Sequence, residues 1–260
     1  IKTKKMTKVY FYCQNCGNET PKWHGKCPSC KEWNTIVEEI KKTPTQNKAI
    51  RSTTINNEPT PVQNIIHDSN VKSTTFDQEL DVVLGGGLVE GSVILLAGEP
   101  GIGKSTLLLQ MALSGSRQVL YVSGEEAKTQ IKIRADRIGI KNTLCNIYSE
   151  TSTNNIISHC QKIDQSEDRY SLIIIDSIQT LYSDFIDSPI GSVGQIKQCC
   201  AELIRYAKDS NTPIIMIGHI TKEGQIAGPK ILEHMVDVVL YFEGEKTHFY
   251  RILRSKKNRF

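Results

Sequence analysis

The segment Gly98-Glu-Pro-Gly-Ile-Gly-Lys-Ser105 constrains this chain more than any other part of it. It is a complete Walker A pattern, set between an apolar run, Ser92–Ala97, and a Pro-free stretch, Lys104–Leu113, that suits a helix. A strand that enters a glycine-rich turn and leaves as a helix belongs to a βα unit, which needs parallel strands beside it and helices over the sheet. The glycines let backbone N–H groups face a phosphate, and the helix start adds the positive end of its dipole. The cradle is expected to comprise Gly98, Glu99, Pro100, Gly101, Ile102 and Gly103. Lys104 would reach the β- and γ-phosphates of ATP, Ser105 would ligate Mg2+, and Thr106 would lie near the α-phosphate.

The flanking sequence repeats the same alternation. Gln118–Ser123, Leu172–Asp176, Ile214–Gly218, Val236–Phe242 and Phe249–Leu253 read as further strands, with a weaker one at Ile147. Ala127–Ile138, Asn154–Ile163 and Gln195–Lys208 read as helices, with Gly139 and Asn211 as stops. The pattern predicts an α/β fold with a mostly parallel sheet and flanking helices.

Leu172-Ile-Ile-Ile-Asp176 fits a Walker B strand, whose aspartate would point from the sheet's C-terminal edge towards Mg2+. Hydrolysis also needs a carboxylate to orient water, and Gly124-Glu125-Glu126 follows another strand on that edge. Glu125 is the first choice and Glu126 the second. Acids at a helix start also satisfy the dipole, so the residues alone leave that purpose open. His219, after the strand Ile214–Gly218, is open in the same way.

Cysteines organise the other end of the chain. Cys13-Gln-Asn-Cys16 and Cys27-Pro-Ser-Cys30 put two thiolate pairs on two tight turns, the spacing of a closed tetrahedral Zn2+ site. With four protein ligands the metal is structural, and Gly17 and Gly25 are expected to give the turns their freedom. The other four of the eight cysteines are scattered through the α/β pattern, which suits a reducing compartment. Residues 1–40 form the zinc ribbon in this reading. Residues 41–72, with Pro44, Pro59 and Pro61 among polar residues, form a linker.

The chain is 38% hydrophobic and 23% charged, which excludes a mostly disordered protein. Its net charge of +4 is too small to argue for nucleic acid by itself. The charge is concentrated, however, because Arg251, Arg254, Lys256, Lys257 and Arg259 fall together and suit the phosphates of DNA or ATP. No stretch is apolar enough to span a bilayer, and the N-terminus has no signal-peptide pattern, so a cytoplasmic location is expected. An opening Ile1 and an end at Phe260 after that basic stretch are what a piece of a longer protein would show.

Ordered motifs add a resemblance. The ribbon followed by Pro21-Lys-Trp-His-Gly-Lys-Cys-Pro28, then Leu84-Gly-Gly-Gly-Leu-Val89, the Walker A and Tyr121-Val-Ser-Gly-Glu-Glu126, are similar to the bacterial RadA/Sms family. Ile175-Asp-Ser-Ile-Gln-Thr180, Gly218-His-Ile-Thr-Lys-Glu-Gly224, Gly228–Asp237 and Lys257-Asn-Arg-Phe260 extend the match. The resemblance implies a RecA-like P-loop ATPase core at residues 73–260. It also implies a bacterial protein that forms a hexameric ring, acts on single-stranded and branched DNA, and extends recombination intermediates by branch migration beside the RecA recombinase.

By position, Glu125 resembles the water-activating glutamate of that superfamily and His219 its γ-phosphate sensor. Lys257 and Arg259 resemble residues that reach a neighbouring subunit's nucleotide. Residues 183–194 and 222–228 resemble the two DNA-binding loops, with Lys222 and Lys230 as phosphate contacts and Lys197 on a helix surface. The family continues past Lys-Asn-Arg-Phe into the rest of its core and a Lon-protease-like domain.

The alternative is an ATP-switched binding scaffold in which hydrolysis is incidental, as in RecA relatives such as KaiC. A protease finds no support, because no Ser–Lys pair is recognisable.

Overall fold

The computed structural model describes residues 8–13, 17–41, 59, 61–64, 72–139, 142–166, 168–219, 231–244 and 250–260. The N-terminal segment is a small antiparallel sheet in the order β2-β1-β3, from β1 (Lys8–Cys13), β2 (Glu19–Thr20) and β3 (Ile36–Lys41). Its core is Cys13, Cys27 and Ile36, with Phe11 and Cys30 packed against them. So few apolar side chains cannot stabilise a fold alone, which is the usual circumstance of a metal-dependent ribbon.

The larger unit begins with β4 (Lys72–Ser73), α1 (Gln78–Val83) and β5 (Leu88–Val89). It continues through β6 (Val93–Gly98), α2 (Lys104–Leu113), β7 (Val119–Ser123), α3 (Lys128–Ile138), β8 (Cys145–Ser149), α4 (Thr153–Ile163) and β9 (Leu172–Asp176). It ends with α5 (Val193–Ser210), β10 (Ile214–His219), α6 (Ile231–Met235), β11 (Val238–Gly244) and β12 (Arg251–Asn258). Seven of these strands form one sheet, ordered β12-β11-β6-β10-β9-β7-β8. All neighbours are parallel except the edge pair β11 and β12.

Both faces of the sheet are covered, as a parallel sheet requires. Along β6, Val93, Leu95 and Ala97 pack into one cluster with α4 and α5, while Ile94 and Leu96 pack into the other with α1, α2 and α3. This explains why the strand sequences read as unbroken apolar runs rather than alternations. Helix ends follow local chemistry. Ser152 and Ser192 cap α4 and α5 through their side chains, and Gly139 and Asn211 end α3 and α5 in the left-handed conformation, as the sequence predicts. Burial pushes the Cys145 thiol up to about 11 and those of Cys160 and Cys200 to about 12, so these cysteines are packing residues.

Two strands differ from their sequence reading. The run from Val236 begins as a turn, because Val236 N–H donates to Leu232 O to close α6 and Asp237 N–H donates to Val93 O; the strand starts at Val238. The last strand extends to Asn258 despite its basic composition. Pairing with β11 supplies its backbone hydrogen bonds, so it needs little apolar character of its own.

Candidate functional site

The Walker A loop joins the end of β6 to the start of α2, with Gly103 as the residue before the helix. Gly103 has φ +111°, so the backbone conformation demands glycine, and the Arg251 guanidinium lies so close that a Cβ there would stand 2.6 Å from its Nη1. Lys104 is buried and folds back over the loop, its Nζ donating to Gly98 O and Glu99 O, each at 2.8 Å. Burial lowers its pKa, while the charges of Asp176 and Glu125 act in the opposite direction.

Sheet order brings the remaining candidates to the same edge. His219 at the end of β10 is in register with Gly98, and Asp176 at the end of β9 with Ser123 of β7. Asp176 is 4% exposed, and its Oδ2 accepts a 2.7 Å hydrogen bond from the Tyr121 hydroxyl. Its Oδ1 is buried and accepts no hydrogen bond among the described residues, although the Ser105 hydroxyl lies close enough to lower its pKa. Burial outweighs these donors and holds the Asp176 pKa above the ordinary carboxylate range. A bare carboxylate oxygen beside a serine hydroxyl is a donor set that fits Mg2+.

The two adjacent glutamates part company. Glu126 forms an ion pair with Arg134 of α3, and its N–H is taken by Ser123 Oγ at 3.0 Å. Glu125 turns towards the strand ends, where its Oε1 accepts from Ser177 Oγ at 2.6 Å and lies 3.1 Å from His219 Nε2. The hydrogen bond from His219 is the largest influence on the Glu125 carboxyl, and Ser177 adds to it; its pKa falls to about 2. A carboxylate is an acceptor only, so Nε2 carries the proton. His219 Nδ1 is buried and without a partner among the described residues.

In the ribbon, Cys13, Cys27 and Cys30 direct their sulfurs together, with all three within 4.8 Å of one another. The Cys13–Cys30 separation is 3.6 Å. Zinc–sulfur bonds of about 2.3 Å give tetrahedral edges of about 3.8 Å, so these thiols fit Zn2+. Cys16 lies outside the described residues. Each turn closes by a backbone bond to its first cysteine, Gly17 N–H to Cys13 O and Lys31 N–H to Cys27 O. Gly17 (φ +70°) and Lys31 (φ +61°) are the left-handed residues there, so Gly25, expected from sequence to serve a turn, is not one of them.

Residues 58–225 match the AAA domain family, which covers more than half of the chain. The chain belongs to that family. Residues 11–38 match a second family, described as a rubredoxin metal-binding domain. These matches accord with ATP at the P-loop and zinc at the cysteine cluster. The chain is also similar, along nearly its whole length, to bacterial proteins called DNA repair protein RadA, as the sequence motifs imply. It is 51% identical to that of Bacillus subtilis over 260 residues, covering 98% of this chain and 56% of the relative. It is 48% identical to that of Halalkalibacterium halodurans (99% and 56%) and 46% identical to that of Aquifex aeolicus (97% and 55%). The chain thus spans little more than half the length of these relatives.

Lys257 and Arg259, beyond the residues matched by the AAA family, are not brought to the P-loop of their own chain. β12 runs antiparallel to β11, so Arg251 pairs with Gly244 near the nucleotide edge while Lys257 pairs with Val239 near the opposite one, about 17 Å away at ~3.3 Å per residue. There Lys257 Nζ donates to Glu233 O at 2.8 Å and Val236 O at 2.6 Å, and Arg259 pairs with Asp237 at 3.3 Å. Lys222 and Lys230, and the loop 222–228, lie outside the described residues. Lys197 sits half-buried on α5.

Two contributors escaped the sequence. Tyr121 is buried, holds Asp176 and reaches Ser105 O at 3.4 Å; within a strand it reads as one more apolar residue. Arg251 was visible only as one charge of a basic run, and nothing local signals its approach to Gly103. Asp176 also supports a stability test. Its raised pKa means that folding is favoured at low pH, and that this contribution is lost as pH rises through the folded value. At neutral pH the ionised group opposes folding. Asp176→Asn is therefore expected to stabilise the protein without nucleotide or divalent metal by on the order of 1 kcal/mol, about 2–4 °C in Tm. A thermal melt checks this, and a lower Tm would mean that Tyr121 and Lys104 already compensate the charge.

Proposed function

We propose that this chain is the zinc-ribbon and ATPase part of a bacterial protein that hydrolyses ATP while working on DNA in recombination and repair. The observation that carries the proposal is the convergence of Lys104, Asp176 and the Glu125–His219 pair on one sheet edge, each from a different strand end or its following turn. A nucleotide switch needs the first two; the pair facing them is useful for turnover. The names of the similar RadA proteins supply DNA repair as the setting.

In this reading the loop amides and Lys104 hold the phosphates, and Ser105 with Asp176 Oδ1 would hold Mg2+, which neutralises phosphate charge when bound. Glu125 orients the attacking water. His219 holds that carboxylate by donating its Nε2–H to it, and from the strand end beside the P-loop strand it serves as the γ-phosphate sensor in this reading. Arg251 lies beside Gly103 and adds positive charge in the same subunit. In the same reading Lys257 and Arg259, which lie at the far edge of their own sheet, serve a neighbouring subunit's nucleotide in a hexameric ring. Single-stranded or branched DNA as the substrate, branch migration as the outcome, the RecA recombinase as partner and the bacterial cytoplasm as the setting complete the proposal.

The test is the rate of ATP hydrolysis by this chain with and without single-stranded DNA, with Lys104→Ala as the blank. DNA is expected to raise the rate severalfold over the DNA-free value, and Lys104→Ala to remove both rates. Binding of nucleotide without turnover in either condition would favour the switch.

A further inference from the structure

The metal does not explain the outer surface of the ribbon. Trp23 and Trp33 are the only tryptophans of the chain, and they are 59% and 67% exposed. A small domain short of apolar core would ordinarily bury such rings. Here the backbone holds them out together. Lys26 and Trp33 form an antiparallel bridge, and Asn34 N–H donates to Gly25 O, so the chain around Gly25 lies against the chain around Trp33. A Cβ on Gly25 would stand 3.6 Å from Trp23 Cη2 and 3.8 Å from Trp33 Cζ3, which places both indoles beside one small residue. Trp23 is fixed at its polar edge, its Nε1–H donating to Ile36 O at 3.2 Å. Lys26 Nζ lies 5.4 Å from the centre of the Trp33 ring.

Charge selects the occupant. From Pro21 to Asn34 the exposed ionic side chains are Lys22, Lys26 and Lys31 against Glu32 alone, while the Cys13 and Cys27 thiols lie buried beneath. Lysine is depleted at the centres of protein–protein interfaces, whereas aromatic rings set among cationic side chains are the means by which proteins hold single strands without reading sequence.

We propose that Trp23 and Trp33 form a stacking platform for the bases of single-stranded nucleic acid, with Lys22, Lys26 and Lys31 meeting the phosphates. The proposal rests on the DNA reading above and adds a second contact, on residues other than those of the ATPase edge.

Because both tryptophans lie on the ribbon, intrinsic tryptophan emission from the intact chain reports on this surface alone. Titration with oligothymidylate of about 20 nucleotides, longer than one binding site, is expected to quench the emission saturably. An equally charged polyphosphate without bases should not. Trp23→Ala and Trp33→Ala should each weaken binding about 5- to 150-fold, the range expected for one lost stack. Trp→Phe should restore part of it, and zinc content unchanged from the parent chain would show that the ribbon still folds. If fluorescence anisotropy shows the oligonucleotide bound while emission is unquenched, the platform is overturned and the surface serves a protein. If no assay detects binding of DNA, the DNA reading fails and this proposal fails with it.

Discussion

Glu125→Gln is expected to lower the turnover of ATP by about 10²–10⁴-fold while leaving nucleotide affinity within a few-fold of the parent chain. The expectation follows from the way the carboxylate is held. Both of its hydrogen bonds, from Ser177 and His219, fall on Oε1, and Oε2 has none among the described residues. Glutamine keeps the size of the side chain and can present its carbonyl oxygen to the same two donors. It then replaces Oε2, which can accept from a water, with an NH2 group that cannot. Binding measured with a fluorescent nucleotide and single-turnover hydrolysis separate the two effects. Full turnover by the variant would remove Glu125 from the mechanism, and retained DNA function with no turnover would establish the switch.

The pKa of Glu125 sharpens that role. At about 2, well below the ordinary value of 4.5, the carboxylate is a weak proton acceptor, so its contribution is to orient and polarise water rather than to store its proton. The sign for stability is the usual one for a depressed acid. The favourable term is present above the unfolded value and is lost as pH falls through the folded one, between about 4.5 and 2. The group is partly exposed, so that term is screened and small. An acid limb of the ATPase profile well above pH 4.5 would therefore belong to another group.

The parts of this molecule that were legible in the sequence are those fixed by local patterns. Leu172–Asp176 and Lys104–Leu113 are a strand and a helix at the predicted residues, because one is an unbroken apolar run ending in Asp and the other follows the glycine turn. The choice between Glu125 and Glu126 was not legible. Either acid suits a helix start, and only Arg134, eight residues beyond Glu126, draws one away and leaves the other facing His219. Arg251 beside Gly103 and Tyr121 under Asp176 depend on strand order, which no local signal contains. Lys257 and Arg259 show the same limit. Their motif implied contact with a neighbouring subunit's nucleotide, and only the register of β12 shows that they lie at the edge away from their own P-loop. The ribbon's cysteine spacing was legible, but the expected part of Gly25 in the turns was not, because the left-handed positions fall at Gly17 and Lys31, and Lys31 carries no such signal in its residue type.

Removing the metal is expected to unfold the ribbon and leave the seven-stranded sheet intact. Among its described residues the ribbon buries only Tyr12, Cys13, Cys27 and Ile36 as apolar side chains, with Thr20 beside them, so most of its folding free energy has to come from metal–thiolate bonds. Structural zinc contributes roughly 10–16 kcal/mol in small zinc-binding peptides, more than so few buried side chains can supply. The large sheet has two apolar clusters of its own and contains none of the ligand cysteines. A strong chelator, or Cys27→Ser, should abolish amide protection from Phe11 to Ile36 in hydrogen exchange, while the protection of β6, β9 and β10 stays within error of the metal-loaded protein. ATP binding should persist, because among the described residues no hydrogen bond or ion pair joins the P-loop to the ribbon. If the ribbon remained protected without metal, packing rather than coordination would hold it. If the sheet melted with it, the two parts would be one cooperative unit, and the polar stretch between them would not be acting as a linker.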